Sequence, residues 1–137
     1  MLLRKTILVC ILFFAINASE FEYNKEGCDN NSTVECINLG SMYYSGDGVE
    51  KNFTKAKELF KKACDSGNEV GCINLGSMYY YGDGMKKDFK LAIKYYTRAC
   101  LVRDSQSCYY LADMYRKGEG VKKSLNKAKE LYSKACK

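Results

Sequence analysis

Seven cysteines on a fixed spacing constrain this chain more than any other feature. Cys28, Cys64, Cys100 and Cys136 lie 36 residues apart, and Cys36, Cys72 and Cys108 each follow one of them by eight. A period of this size marks a repeat architecture, in which one supersecondary unit recurs and buries its apolar face against its neighbours. Function in such a chain is expected on a shared surface and not in a single pocket.

Superposing residues 36–71 on 72–107 gives 17 identities in 36 positions. Cys36-Ile-Asn-Leu-Gly-Ser-Met-Tyr-Tyr44 recurs unbroken from Cys72 to Tyr80 and more loosely from Cys108 to Tyr115. Gly46-Asp-Gly48 returns as Gly82-Asp-Gly84 and as Gly118-Glu-Gly120, and each copy ends in Ala-Cys. The spacing predicts two antiparallel helices per unit. Helix A is expected from Glu35 to Ser45, with Leu39, Met42 and Tyr43 at helical spacing. The glycines after it stop the helix, because Gly tolerates positive φ. Helix B is expected from Phe53 to Cys64, with Phe53, Ala56, Leu59, Phe60 and Ala63 as its apolar stripe. Asn52, Asp88 and Ser124 occupy the position before it and are good N-caps. Gly40, Gly76 and Ala112, facing Ala56, Ala92 and Ala128, are expected to let the two helices close. The fold class that follows is all-α, a right-handed α/α solenoid. It divides into a capping segment over 19–35 and repeats over 36–71, 72–107 and 108–137, the last one shortened.

The N-terminus bears on the compartment. Arg4 and Lys5 precede an apolar run from Ile7 to Ile16, ten residues long and too short to span a bilayer comfortably. With Ala18 as a small residue at the cleavage point, residues 1–18 read as a signal peptide; a membrane anchor is the alternative. Cleavage removes Cys10 and leaves no integral membrane segment. It also leaves 20 basic and 16 acidic residues, net +4, scattered along helical faces as on a solvated surface. No nucleic-acid partner is expected. The chain has no His, which removes the commonest general base and the commonest metal ligand. No metal or cofactor is expected.

In this layout the first Cys of each pair ends a helix B and the second lies about a turn into the next helix A. A short reversal brings two such residues within disulfide reach. The expected bridges are Cys28–Cys36, Cys64–Cys72 and Cys100–Cys108. Zinc binding is the rival, disfavoured in an exported chain. Cys136 is the first member of a fourth pair whose partner would fall beyond Lys137. Either the array is a shortened relative of a longer one, or Cys136 is a free thiol available for a disulfide-linked dimer.

These residues carry a resemblance. Leu-Gly-x-Met-Tyr, then Gly-x-Gly-Val, then Lys-Ala and Lys-Ala-Cys resembles the Sel1-like repeat, a relative of the tetratricopeptide repeat. The Cys-x7-Cys staple is similar to the Helicobacter cysteine-rich protein family. The likeness covers about residues 28–136, with departures at Ala112, at Tyr95 and in the sparse stretch 19–27, which looks like the remnant of a helix B. It implies a periplasmic or secreted scaffold that binds peptides or proteins on a concave face. It equally implies penicillin binding and β-lactam hydrolysis, the β-lactam standing in for cell-wall peptide.

For hydrolysis, Ser124-Leu-Asn-Lys127 matches a Ser-x-x-Lys element by letter, but the Ser-Asp-Asn and Lys-Thr-Gly elements are absent. Ser124 also falls on the cap position of helix B. The sequence names no catalytic residue. For binding, the stripe of helix A opposite its core carries Asn38, Ser41 and Ser45, then Asn74, Ser77 and Tyr81, then Tyr110, Asp113 and Lys117. Asn donates to and accepts from an extended backbone, and Tyr offers a flat apolar face with a polar tip. A merely solvated helix face is the alternative. Finally, Asn31 and Asn52 each fit an acidic N-glycosylation acceptor pattern, Asp29-x-Asn31-x-Thr33 and Glu50-x-Asn52-x-Thr54. Asn31 is expected in an exposed turn, whereas Asn52 also reads as a helix cap.

Overall fold

Start and stop signals recur at a fixed spacing, so from residue 33 onward the chain breaks into helices of 11–13 residues. The computed structural model describes residues 1–102 and 104–136. Its helices are α1 (Leu2–Asp29), α2 (Thr33–Ser45), α3 (Phe53–Asp65), α4 (Glu69–Tyr81), α5 (Phe89–Leu101), α6 (Ser105–Lys117) and α7 (Leu125–Ala135). No strand occurs among the described residues. The expected helices A and B correspond to α2 and α3 to within two residues at either end.

The chain forms two compact units, Met1–Leu59 and Phe60–Lys137. In the first, α2 ends where Gly46 takes φ 77°. The Met42 carbonyl accepts from both Gly46 and Asp47 N–H, at 2.8 and 3.2 Å, which satisfies an orphan carbonyl of the last turn. Asn52 then donates its N–H to Tyr43 O at 2.8 Å, and its side chain accepts from Lys55 N–H at 3.0 Å. The second unit repeats the device twice. Gly82 and Gly118 also take φ 77°, Asp88 and Ser124 donate to Tyr79 and Tyr115 carbonyls at 2.9 Å, and their side chains cap Leu91 and Lys127. All three expected caps therefore act as caps.

Each unit has its own core. In the first, Cys28, Cys36, Leu39, Met42 and Ala56 are buried, and the Phe21 ring meets Tyr43 edge-on at 6.0 Å. The stretch 19–27 thus packs on α2 as a helix B would. In the second, Ala92, Tyr96, Leu111, Ala112, Met114 and Leu131 form one cluster. Tyr95, where the repeat elsewhere has Leu59, is buried and stacks on Tyr79 at 5.7 Å.

The close helix approach differs from expectation in one detail. A Cβ on Gly76 would lie 2.9 Å from the Tyr96 ring, so the aromatic ring, not the Ala92 methyl, needs the missing side chain. A tighter approach was not foreseen. A Cβ on Gly71 would sit 2.7 Å from Cys64 N, 2.8 Å from Ala63 Cβ and 2.9 Å from Phe60 O. Residues 27, 63 and 99 of one helix thus oppose 35, 71 and 107 of the next, each position one residue before a bridge cysteine. The pairs are Gly27 with Glu35, Ala63 with Gly71, and Ala99 with Ser107. In the first unit the small residue has changed sides, since a Cβ on Gly27 would meet Glu35 Cβ at 2.8 Å.

At the third such pair the Ser107 hydroxyl is fully buried and has no hydrogen-bond partner. An orphaned hydroxyl of this kind is destabilising by about 1–3 kcal/mol. Ser107→Ala should therefore raise the urea midpoint, by about 1 kcal/mol in stability once some lost packing is allowed for. A fall in the midpoint would show that the hydroxyl has a partner in solution.

The N-terminal helix runs unbroken across the expected cleavage point after Ala18. Its Leu2–Ile16 stretch is exposed, and its best 18-residue window has a mean hydropathy of 1.7. By length and composition it is able to cross a membrane, a test that a signal sequence passes equally. The ten-residue run read as too short is lengthened because its flanks, Leu2, Leu3, Thr6, Asn17, Ala18 and Ser19, add only Arg4 and Lys5 as charges.

Candidate ligand-binding surface

The bridges that space the helices are Cys28–Cys36, Cys64–Cys72 and Cys100–Cys108, with Cα–Cα distances of 4.5, 4.6 and 4.8 Å. Each ties the end of one helix to the second turn of the next. Cys136 carries an exposed free thiol at the end of α7.

In the first unit the helix A stripe is engaged with its own fold. Asn38 is exposed and donates to the buried Asn24 side chain at 3.4 Å, while Asn24 in turn points its amide N–H at Met42 Sδ, 3.7 Å away. The Ser41 hydroxyl donates to Ile37 O at 2.9 Å, and Ser45 does the same to Ser41 O.

The second unit brings its stripe together through a residue to which sequence reasoning gave no role. Tyr96 of α5 is buried, with its hydroxyl 3.0 Å from Ser77 Oγ on α4 and its ring 5.2 Å from the Tyr110 ring on α6. One side chain thus joins the α4 and α6 stripes. The signal was present: Tyr96 stands where the preceding repeat has Phe60, and a phenol added to a core position demands a partner. Tyr80 makes a parallel link, donating to Glu119 at 2.9 Å.

The remaining expected residues lie on the same two helices. Asn74 is partly buried. Tyr81 is 56% exposed, with its ring edge-on to Tyr80 at 5.0 Å. Tyr110 also receives a hydrogen bond from Gln106 at 3.1 Å. Asp113 is paired with Arg116 and Lys117, at 2.5 and 2.6 Å. Burial pushes the Asp113 carboxyl up, but the hydrogen bonds from Lys117 and Arg116 outweigh it and hold the group below the usual carboxylate range. The surface therefore combines aromatic and amide groups with a locally neutralised carboxylate.

Catalytic chemistry finds no comparable support. Ser124 Oγ accepts from Lys127 N–H at 3.2 Å as a helix cap. Ser77 faces a phenol, but burial raises the Tyr96 hydroxyl far above its ordinary value, more than the Ser77 hydrogen bond lowers it. Such a phenol stays protonated at neutral pH and is no general base. A shallow hollow of about 290 Å³ beside the Cys64–Cys72 bridge is lined by Glu69, Arg98, Leu101 and Val102. Arg98 there is already held by Asp65 at 3.1 Å and by Cys64 O at 2.9 Å.

Three segments, residues 36–68, 70–101 and 105–137, match the family model of the Sel1 repeat. Among solved structures, a Sel1 repeat protein from Oxalobacter formigenes is 29% identical with a TM-score of 0.80, covering 90% of this chain and 56% of that one. The protein c5321, a protective antigen present in uropathogenic Escherichia coli strains, is 28% identical with a TM-score of 0.79, covering 85% of this chain and 25% of that one. Helicobacter pylori cysteine rich protein B is 28% identical with a TM-score of 0.69, covering 90% of this chain and 88% of that one. The chain thus spans about half the length of the first of these structures and a quarter of the second. No curated protein matches it significantly.

Proposed function

This chain belongs to the Sel1 repeat family, and from that premise we propose that it is an extracytoplasmic scaffold that binds a peptide or protein segment on its helix A stripe. The observation that supports the reading is the Tyr96 tie, which joins Ser77 of α4 and Tyr110 of α6 through one side chain. Rigid aromatic anchors of this kind lose little conformational entropy on binding and dominate interface energetics. Three disulfides fit an oxidising compartment, and α1 fits a signal sequence. The stripe on the first unit, Asn38 and Ser41, is a separate and more polar candidate surface. Uncrosslinked cell-wall peptide is the natural first ligand class to try. The β-lactam reading, which shares that chemistry, has no contact in its favour beyond the resemblance.

Peptides selected on the wild-type chain, or cell-wall peptide itself, should bind Tyr81→Ala about tenfold more weakly, the usual loss for an aromatic anchor. Lys129→Ala, on the exposed side of α7, should bind as wild type does. Titration by fluorescence or calorimetry reads the difference, and equal affinity in the two variants would rule the surface out. A separate expectation concerns Cys136. Purified chain run without reductant should show a dimer band that collapses on reduction and is missing from Cys136→Ser. A single monomer band under both conditions would count against the linked dimer.

A further inference from the structure

We propose that Asn31 is an N-glycan acceptor of this chain, a reading that rests on the export proposed above. Four asparagines begin an Asn-x-Ser/Thr triplet: Asn17, Asn30, Asn31 and Asn52. The structure separates them. Asn17 lies inside α1, partly buried, with its Cβ against Gly48. Asn52 is partly buried and locked twice, through its Oδ1 to Lys55 N–H and its own N–H to Tyr43 O. Asn30 is held at the end of α1 by its N–H to Glu26 O at 3.0 Å, and its residue at −2 is the buried Cys28.

Asn31 alone combines exposure, a place outside both helices and an acidic residue at −2, the exposed Asp29. Its φ is 66°, the one positive value at a non-glycine position among the described residues. The residue after it does not compete for the surface, because the Ser32 hydroxyl turns back onto Glu35 of α2. The Cys28–Cys36 bridge closes the turn beneath, at a Cα–Cα distance of 4.5 Å. Asn31 is therefore presented at the apex of a stapled reversal, with Thr33 of its triplet opening α2.

The reaction is a glycosyl transfer. The Asn31 amide nitrogen forms a bond to the anomeric carbon of a lipid-diphosphate-linked oligosaccharide. The bond from that carbon to the diphosphate oxygen breaks, the lipid diphosphate leaves with the electron pair, and the amide nitrogen gives up one proton.

A purely conformational role must be separated from this one. Asn31 is the repeat equivalent of Gly67, which takes φ 89°, and Asn is among the residues best able to adopt the left-handed region. Asn31→Gly therefore keeps the turn while removing the amide. The disulfide-bonded chain, a purified oligosaccharyltransferase of acidic acceptor preference and a lipid-linked oligosaccharide are incubated, and the intact mass is read. One glycan is expected on wild type and on Asn52→Gln, and none on Asn31→Gly. An unmodified wild type, or a glycan retained in Asn31→Gly, would overturn the assignment. Protease accessibility of the chain on intact spheroplasts keeps export apart: a protected chain counts against export, whereas an accessible chain whose intact mass shows bare Asn31 counts against the glycan.

Discussion

Gly71→Ala should lower the stability of the chain by about 2–3 kcal/mol, read as a lower urea midpoint at unchanged slope. Intrinsic propensity points the other way, since alanine is favoured over glycine in a helix by about 1 kcal/mol. The steric term must therefore exceed that gain, and the geometry says that it does. The added Cβ would lie 2.7 Å from Cys64 N and 2.9 Å from Phe60 O, both backbone atoms of α3, and 2.8 Å from Ala63 Cβ. No rotamer relieves a clash with backbone, so one helix must move. The Cys64–Cys72 bridge, one residue further along each helix, opposes that movement by holding the two Cα atoms 4.6 Å apart. Adding Ala63→Gly should restore part of the loss, because Gly27 opposite Glu35 shows that the interface accepts the larger residue when its partner is glycine. A variant as stable as wild type would mean that the two helices separate more readily than the contact distances imply.

The second large effect is expected at the bridges. Cys64→Ala with Cys72→Ala, made together so that no thiol is left behind, should reduce stability by about 2–3 kcal/mol on the chain-entropy estimate for so short a loop. Both side chains are buried, and alanine fills only part of the space, so the loss of packing adds to the entropic effect. Removing all three bridges should cost about 6–9 kcal/mol on the same estimate, more than the lower end of a whole domain's stability, about 5 kcal/mol. Thermal melts with and without reductant provide the check. Coincident melts would show that the helix packing alone holds the fold.

Much of this was legible in the sequence for a definite reason. The Gly46, Gly82 and Gly118 stops, the Asn52, Asp88 and Ser124 caps and the cysteine pairs are local devices, each fixed by residues within a turn or two of one another. Local chemistry that recurs three times is hard to misread. The features that sequence reasoning missed are those set by packing between helices. Sequence reasoning gave Gly71 no role, and the α3 backbone packed against it supplies one. Tyr96 takes the core position of Phe60, yet its hydroxyl holds Ser77 on α4 and its ring meets Tyr110 on α6. The span of α1 was underestimated because the apolar run was counted without its uncharged flanks.

The bridges also decide how the chain responds to a protease. Each staple closes the reversal from a helix B to the following helix A, whereas the Gly-x-Gly reversals carry no such second connection. A cut between Cys64 and Cys72, for instance at the exposed Ser66-Gly67, leaves the two fragments joined through sulfur, so the nick is silent until a reductant is added. A cut between Gly82 and Asp88 severs the polypeptide outright. Two outwardly similar turns thus differ in kind, and a nick is tolerated at a stapled reversal and not at a glycine one.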